Sequence, residues 1–240
     1  MPVRSKRTSG RLRRSTMRKI ARKGLRKASI MKNRAPLPRV KKIALMGTGL
    51  PAKVMVRHKY VETFTLTATG IPSGYTFRAN SMFDPNFTGT GHQPLYFDQY
   101  ANLYNHYTVI GSKITFTFAA ADNVYPPFQV AALLDDDGAT ATLLADAIAE
   151  QTQGSKIVMM PADSATSVRK ITLKFSAKKQ FGGSVVNNAN LRGNATTNPA
   201  EQMYYIFSIT PRNGDNAEVR CTAHIEYIAI WTELKDVVQS

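Results

Sequence analysis

The stretch AEVRCTAHIEYIAIWTE, residues 217–233, carries Val219, Cys221, Ala223, Ile225, Tyr227, Ala229 and Trp231 at every second position, with mostly polar residues between them. Successive side chains of an extended strand point to opposite faces, so a period of two marks a strand with one face on a core and the other toward water. The pattern recurs upstream. Phe64, Leu66 and Ala68 alternate with Thr63, Thr65, Thr67 and Thr69; Ile114, Phe116 and Phe118 alternate with Thr115 and Thr117; Ile171, Leu173 and Phe175 alternate with Lys170, Thr172 and Lys174. With the segments 74–82, 126–135, 155–160 and 202–211, the reading predicts eight strands: 60–69, 74–82, 106–120, 126–135, 155–160, 167–176, 202–211 and 217–233.

Between the strands run long connections at 84–94, 138–153 and 182–200, and only 97–104 and the Ala-rich 139–150 read as helix. Eight strands joined by long loops, with little helix and few tight hairpin turns, predict an all-β fold, best an eight-stranded antiparallel jelly-roll sandwich. No repeat of solenoid or propeller length is visible.

The chain is electrostatically divided. The first acidic residue is Glu62, and the 61 residues before it hold 20 of the 32 Lys and Arg. Residues 1–42 contribute 17 of them: Arg4, Lys6, Arg7, Arg11, Arg13, Arg14, Arg18, Lys19, Arg22, Lys23, Arg26, Lys27, Lys32, Arg34, Arg39, Lys41 and Lys42. From Tyr60 onward 12 basic residues face 16 acidic ones, a net of −4. A block of one sign at this density repels itself and cannot bury itself, so its natural partner is a polyanion, first of all nucleic acid. Domain boundaries follow: residues 1–50 as a basic, largely disordered arm and 51–240 as the jelly-roll domain, with Pro36, Pro38, Gly47, Gly49 and Pro51 marking the passage.

Within the arm, Met17, Ile20, Ala21, Gly24, Leu25, Ala28 and Met31 keep a helical spacing with Arg and Lys on the other face, which predicts a basic amphipathic helix forming mainly on binding. Phosphates, an anionic membrane and a partner groove would all suit it, phosphates best.

The search for chemistry returns little. Cys221 is the only cysteine, which excludes an intrachain disulfide and a Cys-based zinc site and suits a reducing compartment. The basic amino terminus lacks the apolar stretch of a secretory signal, and the longest apolar runs are far short of a membrane span. None of His58, His92, His106 and His224 has metal-ligand spacing, and there is no phosphate-cradling Gly loop or nucleophile elbow. No catalytic residue, metal or cofactor is expected. The run Asp135, Asp136, Asp137 and Gly138 reads as a solvated turn, with a hard cation or a basic patch on a neighbouring copy as alternatives.

The segment FRANSMFDPNFTGTGHQPLYFDQYANLYNHYTVIGSK, residues 77–113, resembles the most recognisable stretch of capsid proteins from small circular single-stranded DNA viruses that encode a rolling-circle Rep, the circovirus-like group. The shared pattern is N-S-[ML]-[FY]-D-P, then G-x-G-H-Q-P, then a D-Q-[YW] helix, then a strand with a G-S-K turn. The resemblance implies a single jelly-roll subunit, icosahedral shells of about 60 copies, arms turned inward onto DNA, and nuclear import through the same arm. It places the protein in the virion and the host nucleus. Partners would be further copies of itself, the single-stranded DNA genome, import receptors and an unidentified attachment factor. Asp84, His92, Asp98, Tyr100 and Tyr104 are the candidate interface residues, with Asp98 as N-cap or first-turn residue of the 97–104 helix; a structural loop within one subunit is the alternative for each. Rival readings are a cellular nucleic-acid-binding β protein with a basic tail, and an enzyme or carbohydrate-binding jelly roll with a targeting tail.

Overall fold

The computed structural model describes residues 49–121, 126–138, 144–151, 154–161 and 168–236. Its long strands are β1 (Lys53–Thr69), β2 (Ser73–Arg78), β3 (Tyr104–Ala120), β4 (Phe128–Asp135), β5 (Lys156–Met160), β6 (Arg169–Ser176), β8 (Tyr204–Thr210) and β9 (Asn216–Leu234), with a two-residue β7 (Arg192–Gly193). Three short helices lie between them: α1 (Phe97–Leu103), α2 (Ala145–Glu150) and α3 (Ala177–Phe181).

One sheet has the order β1-β9-β3-β6, with β7 added alongside β3, and the other has the order β2-β8-β4-β5. Every pairing is antiparallel. The chain crosses between the sheets at β1–β2, β2–β3, β3–β4, β5–β6, β7–β8 and β8–β9, which winds two four-stranded sheets, with β7 added to one, into a jelly roll. The eight expected strands correspond to the eight long ones.

The inner faces meet on an aromatic core. Phe64 of β1 stacks on Tyr75 of β2 at 4.1 Å between centroids, and Phe116 of β3 lies 4.8 Å from Phe207 of β8. The alternating residues of β9 from Ala217 to Trp231 are fully buried, as their spacing requires. Each large side chain withdrawn from water here contributes about 1.5–3 kcal/mol. Strands β4 and β8 are buried on both faces: Val130 and Ala132 point into the core, while Ala131, Leu133 and Ile206 are covered from outside by Ala145 and Ile148 of α2. That double burial explains why Val130 to Leu134 reads as a continuous apolar run.

Several boundaries differ from expectation. β1 begins at Lys53 rather than 60, because Val54, Val56 and His58 pair with Trp231, Ala229 and Tyr227. β2 ends at Arg78 rather than 82, since Asn80 takes over the role of the ladder: its amide donates to Glu201 O at 2.8 Å and its Oδ1 accepts from Met203 N–H at 2.9 Å. The helix expected at 139–150 spans Ala145–Glu150, with 139–143 outside the described residues. α3 was not expected. Asp98 is a first-turn residue and not the N-cap, which is Tyr96 in the left-handed region at φ 68°.

Candidate assembly loop and charged sheet face

The loop from 79 to 96 has no regular structure, yet it is held at three points. The first is Arg78, at the end of β2. Its Nη1 donates to Asp84 Oδ2 at 2.7 Å, to Asp84 O at 2.9 Å and to Asn86 O at 3.0 Å, while its Nε donates to Gln202 Oε1 at 2.8 Å. A planar guanidinium with donors in fixed directions can tie a carboxylate and two carbonyls at once, which an ammonium cannot do as well. Phe87 lies under the same group, 5.1 Å from it.

The second is a half-buried cluster around Asn86. Its Nδ2 donates to Glu62 Oε1 at 2.9 Å and to Tyr75 OH at 2.8 Å, while its Oδ1 accepts from Thr88 N–H at 3.0 Å. Tyr60 donates to Glu62, and His92 stacks on the Tyr60 ring at 4.6 Å. Burial, followed by the neighbouring Glu62 carboxylate, pushes the Tyr60 phenol well up, so it stays protonated and a donor. Gly91 must be glycine: a Cβ there would stand 2.7 Å from both Asn86 Cβ and Tyr60 Oη.

The third is Tyr107 of β3, fully buried. Its hydroxyl oxygen accepts from Met82 N–H at 3.2 Å and Phe83 N–H at 3.1 Å and pairs with Ser81 Oγ at 3.0 Å. It therefore satisfies backbone donors that a non-ladder segment would otherwise bury unpaired. Gly193 of β7 lies so close that a Cβ there would meet the Tyr107 ring at 2.4 Å.

The loop leads into α1, which rests on Trp231. Tyr100 stacks on that indole at 5.7 Å, and His58 meets Tyr100 edge-on at 5.4 Å. Trp231 Nε1–H donates to His58 Nε2 at 3.0 Å, so His58 carries its proton on Nδ1, which donates to Leu95 O at 3.2 Å. Burial pushes the His58 pKa down, partly offset by that bond to Leu95.

The five candidate interface residues thus have different settings. His92 and Asp98 are exposed. Asp84 is spent on Arg78, and Tyr100 is half-buried against Trp231. Tyr104 is interior, 2% exposed, with its hydroxyl donating to Pro51 O at 2.8 Å. What the loop does present outward is Leu95 and Tyr96, 69% and 63% exposed, beside Asp98. Arg78, Asn86 and Tyr107, which build the loop, were not singled out from the sequence, and Glu62 was noted there only as the first acidic residue; their spacing does not suggest contact.

The outward face of the β1-β9-β3-β6 sheet carries Lys53, Arg57, Lys59, Lys113, Lys170, Lys174 and Arg220 against Glu218 and Glu226. In one row across the strands Lys59 faces Glu226, Glu226 faces Lys113, and Lys113 faces Lys174. Lys113 Nζ reaches Glu226 Oε2 at 3.2 Å, and that hydrogen bond, with Arg57 and His224 nearby, holds the Glu226 carboxyl below its usual range.

The seventeen basic arm residues from Arg4 to Lys42 and the amphipathic segment 17–31 lie outside the described residues. At the end of β4, Asp135 Oδ1 accepts from Asp136 N–H at 2.8 Å. Among the described residues no group of three or more His, Cys, Asp or Glu is arranged to hold a metal ion, and no helix is long and apolar enough to cross a membrane.

No protein-family model matches the chain, and no curated protein sequence matches it. Solved structures do. The structure of Desmodium yellow mottle tymovirus is 15% identical, over 81% of this chain and 95% of that one, with a TM-score of 0.45. The cryo-EM structure of mud crab tombus-like virus is 18% identical, over 85% and 91%, with a TM-score of 0.41. The decameric BFDV capsid protein is 9% identical, over 75% and 99%, with a TM-score of 0.38. Likeness at these identities and TM-scores carries no function over to the chain.

Proposed function

We propose that this chain is the capsid protein of a circular, Rep-encoding single-stranded DNA virus. Copies of it assemble into a small icosahedral shell, and the arm of residues 1–50 neutralises the genome inside without reading its sequence. The observation that carries the reading is the pairing of two features in one chain: a jelly roll, and an acid-free leader of 61 residues with 20 basic ones. The pattern of residues 77–113 supports the circovirus-like assignment, and much of that segment is the loop anchored on Arg78 and Tyr107.

Charge supports packaging. With 17 arm charges per copy, about 60 copies bring roughly 1,000 positive charges, enough to offset a large part of a genome of a few thousand nucleotides, with counterions doing the rest. The subunit interface is assigned to the 84–104 region, its contacts made by His92, Asp98 and the rim of Tyr100, while Asp84 and Tyr104 act from beneath by fixing the loop. The same arm residues serve as the nuclear import signal.

Gradient sedimentation of the purified full chain, read at 260 and 280 nm, tests this. The expected result is a fast, narrow band with a nucleic-acid-rich absorbance ratio. A slow monomer band that binds DNA would contradict shell formation and favour a cellular nucleic-acid-binding protein.

A further inference from the structure

From Lys53, where β1 begins, 15 basic residues face 16 acidic ones, and that net charge of −1 makes the folded part look indifferent to polyanions. Strand order undoes that average. On the outward face of the β1-β9-β3-β6 sheet, β3 carries a bulge between Val109 and Gly111, and Gly111 leaves the sheet surface without a side chain at that point. β6 then turns directly into α3, which raises Lys179 at the rim. The result is a cavity of about 400 Å³ lined by Arg57, Lys113, Lys174 and Lys179, with Glu226 as its only acidic lining residue. A second cavity of about 370 Å³ shares Lys174 with it and adds Lys156. Four cations from three strands and a helix therefore line the first cavity, a groove with one carboxylate, and Lys156 of β5 lines the second.

We propose that this groove binds the phosphodiester backbone of single-stranded nucleic acid, as a second contact for the strand that the arm holds. The inference rests on the packaging reading above and extends it to the folded domain. Lys residues on the edge strand β6 and Arg57 on β1, the opposite edge, also discourage edge-to-edge pairing, but Lys113 lies on the inner strand β3, where edge protection does not require it. From β1 to β6 the face spans three strand spacings, about 14 Å, so Arg57 and Lys174 meet different phosphates. The one ring at the groove, Phe175, is 4% exposed and offers no stacking surface. Contact through charge alone is blind to sequence and strongly dependent on salt.

A sulfated polysaccharide carries similar charge. Nucleic acid is favoured by chain continuity: Lys53, Arg57 and Lys59 follow the arm in β1, and the residues between Lys42 and Lys53 span at most roughly 40 Å. Whatever strand the arm holds is thus delivered to the face at high local concentration.

The test compares the salt dependence of oligo-dT binding by the full chain with that of Lys113→Gln/Lys174→Gln. Each lost phosphate contact lowers the slope of log K against log[salt] by about 0.7, so the pair should lower it by about 1.4. A charge-matched pair away from the groove, Arg212→Gln/Lys235→Gln, should leave it unchanged, and Lys113→Arg/Lys174→Arg should keep the original slope. An unchanged slope in the groove pair overturns the proposal, as does an equal fall in both Gln pairs or a fall in the Arg pair. If heparin binding falls in the groove pair while oligo-dT binding does not, the groove belongs to a sulfated polysaccharide and the proposal is wrong. A full chain that binds no oligo-dT at all refutes the packaging reading itself, a result distinct from an unaffected slope.

Discussion

Tyr107 shows how much of this protein rests on single side chains beneath a loop. Its hydroxyl accepts from two backbone N–H groups, and Tyr107→Phe would leave both buried without a partner. The expected loss is about 1–3 kcal/mol, measured as a shift in the urea midpoint of unfolding. His58 gives a pH signature instead. Its folded pKa lies below the ordinary histidine value because the ring is buried. The unfolded chain therefore binds the proton more readily: the stability tied to neutral His58 is complete above about pH 6.5 and is lost as the pH falls below that value. Between about pH 7 and pH 5, unfolding midpoints should fall further for the native chain than for His58→Gln, which has no such proton to bind; equal falls would contradict the lowering of the His58 pKa by burial.

At the scale of elements, the strands were legible where one face meets the core and the other carries Thr, Lys or Glu, as in β9, β6 and the later half of β1. The first half of β1 was not, because a polar His58 faces inward while Met55 and Val61 face out. α3 was hidden because five residues are too few to display a helical period. The loop anchors were hidden for another reason: Arg78, Asn86 and Glu62 are joined by tertiary contact, and no local spacing encodes it. The basic groove was hidden likewise, since positions 57, 113 and 174 become neighbours only through the strand order. In α1, Tyr100→Asp sets a charge against the Trp231 indole and should reduce both subunit stability and shell yield. Leu95→Asp, at an exposed site, should reduce shell yield while leaving the thermal unfolding of the subunit within about 0.5 kcal/mol of the native chain. Wild-type yields from both, read by sedimentation, would remove the loop and α1 from the interface.

At the scale of the whole molecule, one chain joins a jelly-roll domain, which we propose forms a shell, to an arm whose charges are all of one sign. If all 17 arm charges contact phosphate, they contribute about −12 to the salt slope of single-strand binding. Deleting residues 2–42 should remove most of that dependence and leave the weak remainder of the groove, so the 260 to 280 nm ratio of purified particles should fall sharply. A fusion of residues 4–27 to a reporter should gather in nuclei, and a cytoplasmic reporter would separate DNA binding from import. The central claim, that this jelly roll builds a closed shell, is tested most directly by electron microscopy of the purified full-length protein. The account predicts closed particles of one diameter with icosahedral symmetry; dispersed monomers or open, irregular aggregates under conditions where the protein is folded would contradict it.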